Sequence, residues 1–319
     1  MKEITFINRN QDKWKSFEST IFTNGDPDEL ADQYIQVTDD LSYSRTFYPR
    51  SKVTSYLNRL ALKIHQEIYK NRKEKTNRFR LLVTKEVPLI LSEIKPQLFM
   101  AVFIFLVSAL VGVISALSDD SFIRLILPDS YINETLNNIQ KGDPMGIYGS
   151  SSQFPMFIQI TFNNVKVSFV AFLFGMLTHF GTGYILASNG VMVGSFVTFF
   201  YQKNLLGTSL YTILIHGSLE LSAITIAGAA GFLLSSSFMF PGTYSRLHSF
   251  KLGAKKGTKI MIVLIPVFTI AGMLESFVTR YYQSIPIVVI LFIIISSLTF
   301  IVWYFFIFPN KVKNKLINH

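Results

Sequence analysis

The chain has 319 residues, half of them apolar, with 30 phenylalanines and only 16% charged residues, a composition that excludes an ordinary soluble globular protein and points to a membrane protein. Its net charge of +10 invites a nucleic-acid reading, but no zinc-finger, helix-turn-helix or RNA-recognition pattern accompanies the basic residues, and these flank apolar runs instead. The absence of cysteine excludes disulfides and thiol chemistry.

Residues 1–97 hold most of the charge and are expected to form a cytoplasmic domain of amphipathic helices. The opening MKEITFINRNQDKWK lacks the apolar core of a secretory signal, so this domain is expected to stay in the compartment where it is made. From Asp26, an acidic first turn and the spacing of Leu30, Tyr34, Val37 and Leu41 predict a helix. A second helix follows Pro49, with Val53, Leu57, Leu60, Ile64 and Ile68 along one face. His65 and Tyr69, four residues apart on it, are read as polar tips of a packed helix pair. The stretch RLLVTKEVPLILSEIKPQ is expected to lie along the inner membrane surface before the chain turns into the bilayer at Pro96.

A hydrocarbon core of about 30 Å takes roughly 20 apolar helical residues. Six runs within 98–309 meet that requirement, so the predicted fold class is all-α, a polytopic bundle of about six transmembrane helices behind the cytoplasmic helical domain. The first is LFMAVFIFLVSALVGVISAL (98–117). An outer loop at 118–164 leads to the second, VKVSFVAFLFGMLTHFGTG, which Asn163 and Asn164 are expected to open. A tight hairpin around Gly181 and Gly183 leads to the third, YILASNGVMVGSFVTFFYQ. The fourth spans 209–236, the fifth about 259–277 and the sixth 287–308, with a basic cytoplasmic tail at 310–319. Lys and Arg concentrate before the first span, between the fourth and fifth (Arg246, Lys251, Lys255, Lys256, Lys259), and in the tail (Lys311, Lys313, Lys315). That bias predicts both termini in the cytoplasm, in a bacterial inner membrane.

From Lys166 onward the only acidic residues are Glu220 and Glu275, and both fall inside predicted spans. A charge at mid-bilayer costs about 2.5–3.5 kcal/mol on insertion scales, so such groups face the protein interior. His216 and Glu220 lie one turn apart on one helix face. With Glu275, Asn163 and Asn164 they are expected to form a polar cluster in the outer half of the membrane domain. Gly190 and Gly194, then Gly217, Gly228 and Gly231, are expected to serve close helix packing. No catalytic residue, cofactor or metal is assigned: zinc chemistry wants three protein ligands and an open position, and His179, the other intramembrane histidine, lies toward the opposite side. No phosphate loop, CxxC pair, GxSxG elbow or HExxH motif occurs.

Several stretches, in order, resemble the stage II sporulation protein M family of polytopic bacterial and archaeal membrane proteins. These are DDLSYSRTFYP (39–49), YLNRLALKIHQEIY (56–69), NNVKVSFVAFLFG (163–175), SNGVMVG (188–194), HGSLELSAITIAGAAG (216–231) and AGMLESF (271–277). The resemblance implies association more than chemistry, since the family's namesake recruits or anchors peptidoglycan-remodelling proteins during endospore engulfment. It marks Asn163, Asn164, His216, Gly217, Glu220 and Glu275 as the family-like polar core and brings no catalytic assignment. The leading expectation is a non-enzymatic membrane scaffold of a cell-envelope assembly, contacting lipid and working as a homodimer or with other membrane proteins. The alternatives are a proton- or ion-coupled transporter or channel using the His/Glu cluster, or an intramembrane hydrolase.

Overall fold

The computed structural model describes residues 1–22, 27–68, 77–149 and 151–317; Tyr69 lies outside them. All regular structure among the described residues is helical, and the chain divides into two compact units, Met1–Asn77 and Arg78–His319.

The first unit comprises α1 (Glu3–Phe22), α2 (Pro27–Phe47) and α3 (Lys52–Ile68). Asp28 and Glu29 in the first turn of α2 complement its N-terminal dipole. Phe6, Trp14, Leu30, Val37, Leu57, Leu60 and Ile64 form a core of its own. Trp14 satisfies its buried indole by donating to Asp40 Oδ2 at 2.8 Å, and Lys13 pairs with the same oxygen at 2.6 Å. His65 faces Tyr34, ring to ring at 5.6 Å, as part of this packing.

The second unit opens with α4 (Arg78–Leu81), a π turn (Leu82–Glu86) and α5 (Val87–Glu93). From sequence this segment groups with the N-terminal domain, but its side chains belong to the core of the second unit. Val87, Ile90, Leu91 and Ile94 share that core with Ile301, Tyr304 and Phe305, and Tyr304 donates its hydroxyl to the Val83 carbonyl at 2.8 Å. An apolar face this continuous is more stable packed than exposed.

Six helical stretches are long and apolar enough to cross a membrane: Lys95–Ser118, Gln153–Leu177, His179–Gln202, Leu206–Met239, Arg246–Tyr281 and Ile287–Ile317. They correspond to α6 (Lys95–Ser118), α9 (Gln153–Leu173), α10 (His179–Gln202), α11 (Leu206–Met239), α12 (Arg246–Met273), and α13 (Ile287–Val302) continued through a π turn into α14 (Phe308–Ile317). Between the first two lie the short α7 (Phe122–Ile126) and α8 (Asp129–Gln140), which fold over one end of the bundle. The hairpin joining α9 and α10 turns at Thr178, with φ 96°, whose hydroxyl accepts from the Phe180 amide. Gly181 and Gly183, expected at that turn, lie inside α10.

Burial identifies the central helix. Two thirds of the apolar window of α11 is enclosed (67%) against 22% for α6, and α11 supplies Ala223, Ala227, Ala229 and Ala230 as fully covered small residues. Phe99, Phe103 and Leu106 on α6, and Val288, Phe292 and Ile295 on α13, point outward at helical spacing and make an apolar surface suited to lipid. The closest crossing joins α6 and α10. A Cβ added at Gly194 would collide with the Ala109 carbonyl, one at Gly112 with that of Val191, and one at Gly190 would come within 2.6 Å of that of Phe105. Gly228 opposes Leu186, and Gly231 opposes Thr182 and the Ala171 carbonyl.

Because backbone blocks the added methyl, Gly194→Ala should lower stability by roughly 1–3 kcal/mol. Gly207→Ala, in open space, should change it by less than about 0.5 kcal/mol. Thermal melts of the two variants in one detergent would show a marked drop for the first alone; equal melting would contradict the crossing.

Candidate functional site

His216 and Glu220 project from one face of α11, and Glu275 approaches them from the end of the fifth span. There the α-helix gives way to a π turn, Leu274–Val278, which accommodates an extra residue and shifts the helical register beyond it. The Thr279 amide and hydroxyl both donate to the Leu274 carbonyl, the hydroxyl at 3.1 Å. That geometry sets Thr279 Oγ1 3.1 Å from His216 Nδ1, buried from solvent. His216 Nε2 faces Glu275 Oε1 at 3.9 Å, beyond hydrogen-bonding distance. One donor atom each from His216, Glu220 and Glu275 lies within 4.8 Å of the other two, the group among the described residues that could share a metal ion.

All five residues of the expected polar cluster line one cavity of about 570 Å³. Asn164 is buried and borders the cavity with Glu220, while Asn163 is exposed yet borders the same space. Neither asparagine opens its helix: α9 begins at Gln153, ten residues before Asn163, because QFPMFIQITF is apolar enough to carry the helix beyond the expected boundary. Gly217, expected to pack against a neighbouring helix, instead lines the cavity; a Cβ there would meet only Ile213 and Leu221 of its own helix.

The roof comes from the segment between the first two spans. Tyr131, Tyr148 and Ser151 border the cavity, and the Tyr148 ring meets the His216 imidazole edge-on at 5.5 Å. Burial raises the pKa of both phenols above the usual tyrosine value, with Glu275 among the nearby charges adding to the shift, so both stay protonated donors. Arg280 clasps this roof: its guanidinium donates to the Tyr148 carbonyl at 3.1 and 3.3 Å and to that of Ser151 at 2.5 Å. Asp143 accepts from the Tyr282 hydroxyl at 2.8 Å and the Gln283 amide at 3.1 Å.

His179 stands apart, as its position in the sequence predicts. It contacts Ser235 Oγ at 2.8 Å and stacks on Phe232, near the far end of α11. Ser235 comes 19 residues after His216, about 28 Å along the helix axis. Sequence reasoning missed Thr279, Tyr148, Tyr131 and Arg280. Thr279 follows Glu275 across the π turn, where uniform helical spacing does not hold, and the roof residues carried no signal, because the segment between the first two spans brings them in.

Fold and site together define a multi-pass α-helical membrane protein with a polar cavity at the end of the bundle opposite the ends of its second unit. The chain belongs to the Stage II sporulation protein M family, whose pattern matches residues 101–280, more than half of its length and all five cavity residues. Residues 4–70 match a Domain of unknown function (DUF8413). No curated protein and no solved structure matches the chain.

Arg280→Ala should free the roof. Hydrogen bonds from a charged donor contribute about 1.5–3 kcal/mol, so amide exchange around Tyr148 should quicken by roughly tenfold or more while α10 stays protected. Hydrogen-exchange mass spectrometry reads both, and unchanged exchange at the roof would refute the clasp.

Proposed function

We propose that the protein resides in the bacterial cytoplasmic membrane with both chain ends in the cytoplasm, and that its cavity takes up an ion or small polar ligand from the outer side. On this reading it is an ion- or proton-coupled transporter or channel. The observation that carries the proposal is the convergence of His216, Glu220, Glu275, Asn163 and Asn164 on one cavity. A cluster serving packing alone would satisfy its own polar atoms in a dry interior, whereas His216 Nε2 and Glu275 leave a gap of 3.9 Å. The orientation is supported by Arg246, Lys251, Lys255, Lys256 and Lys259 at the start of the fifth span and Lys311, Lys313 and Lys315 in α14. These residues lie at the bundle end away from the cavity.

A second reading, an accessory protein of a cell-envelope assembly acting as a homodimer or with other membrane proteins, draws support from the Met1–Asn77 unit. That unit has a separate hydrophobic core and is large enough to present a binding surface to a partner. Sporulation itself forms no part of either reading.

Because the chain contains no cysteine, single substitutions report topology directly. Ser151→Cys should react with a membrane-impermeant maleimide in intact cells stripped of their outer layers, and Lys313→Cys only after permeabilisation; the reverse pattern would invert the orientation. In proteoliposomes, Glu220→Gln should abolish proton or cation flux while melting and elution stay unchanged. Equal flux with and without the substitution would leave the assembly reading.

A further inference from the structure

We infer that His216, Glu220 and Glu275 together hold one divalent transition-metal ion, bound through His216 Nε2 and a carboxylate oxygen from each glutamate. The inference rests on reading the cavity as a binding site, and it holds whether or not the bound ion crosses the membrane.

The proton on the imidazole can be placed from its neighbours. Thr279 has one hydroxyl hydrogen, and it is spent on the Leu274 carbonyl at 3.1 Å. With that hydrogen on the carbonyl, Thr279 Oγ1 accepts from His216, a pairing in which the imidazole proton sits on Nδ1 and Nε2 carries a lone pair. That lone pair is directed at the carboxylates. His216 is only 5% exposed, and its Nε2 has no hydrogen-bond partner among the described residues, since Glu275 at 3.9 Å is too far. A histidine whose remote nitrogen is fixed by a donor bond while the near one faces two carboxylates is arranged as a metal ligand.

Distances and charge point the same way. In a tetrahedral site with bonds of about 2.0–2.2 Å, adjacent donor atoms stand roughly 3.3–3.6 Å apart. The observed 3.9 Å pair, within a group spanning no more than 4.8 Å, needs only a small side-chain rotation to close on an ion. Among the described residues no lysine or arginine lines the cavity to offset the two carboxylates, whereas a divalent cation with two carboxylates and a neutral imidazole forms an electrically balanced set. The imidazole ligand selects first-row transition ions such as zinc or iron over magnesium and calcium, which favour oxygen alone. Three protein ligands leave at least one coordination position open to the cavity beside Asn163 and Gln159, the arrangement of an exchangeable rather than a closed structural site. Thr279 acts as a positioning residue for the imidazole.

The test uses the full chain in mild detergent, with a histidine-free purification tag and a chelator to strip metal. Isothermal titration with zinc chloride should give one equivalent bound per chain, and magnesium chloride should give none. Glu275→Gln and His216→Ala should each weaken zinc binding at least about a hundredfold. Thr279→Val, which keeps the shape but removes the acceptor, should weaken it about 10- to 100-fold. Circular dichroism and elution volume identify any variant that has unfolded; Glu275→Gln, which preserves volume, is the decisive one. Absence of stoichiometric zinc binding, equal binding by wild type and Glu275→Gln, or a preference for magnesium would each overturn the assignment. The outcome is distinguishable from that of the flux assay, because zinc bound without flux removes transport alone, and flux without zinc binding removes the metal alone.

Discussion

Glu220 and Glu275 are carboxylates set close to one another near one end of the bundle, and among the described residues no lysine or arginine lines their cavity. Removing two such groups from water is costly, and placing them side by side adds mutual repulsion. The surrounding structure answers that cost locally. A buried asparagine borders the same cavity, a histidine held through its Nδ1 by Thr279 faces Glu275, and two phenols line the space beside them. The π turn at Leu274–Val278 is a backbone irregularity that brings the second carboxylate and Thr279 to the same histidine.

Those polar groups are held in place by small residues farther along the same helices. α11 can run through the middle of the bundle because Ala223, Ala227, Gly228, Ala229, Ala230 and Gly231 let its neighbours approach closely, and α10 meets α6 through Gly190 and Gly194. In a membrane, where burying apolar side chains brings little gain over lipid contact, such close backbone approach is a principal source of helix association. Packing and polarity are thus divided along α11: its small-residue half fixes position, and its opposite half carries His216 and Glu220.

Much of this was legible in the sequence. Apolar runs of sufficient length reveal six spans because the bilayer imposes length and hydropathy on each one separately. The count of acidic residues after Lys166 singles out Glu220 and Glu275 because an unneeded charge is expensive there. The failures were judgments that depend on neighbours in space. QFPMFIQITF gives no local mark of where α9 starts, and nothing in 78–93 announces that its side chains pack with Ile301 and Tyr304. The π turn escaped notice because helical spacing assumes a uniform register, and Tyr148 because no periodicity links residue 148 to residue 216. Gly217 was read both as a packing glycine and as part of the polar core, because sequence spacing cannot distinguish a glycine that admits another helix from one that leaves room for a cavity.

The clasp made by Arg280 engages the roof through main-chain carbonyls, at Tyr148 and Ser151, and touches neither of their side chains. Attachment and chemistry are therefore separable at the mouth of the cavity. A substitution at position 148 or 151 that keeps the backbone path leaves both carbonyls for the same arginine to hold, so the roof can change its side chains without losing its anchor.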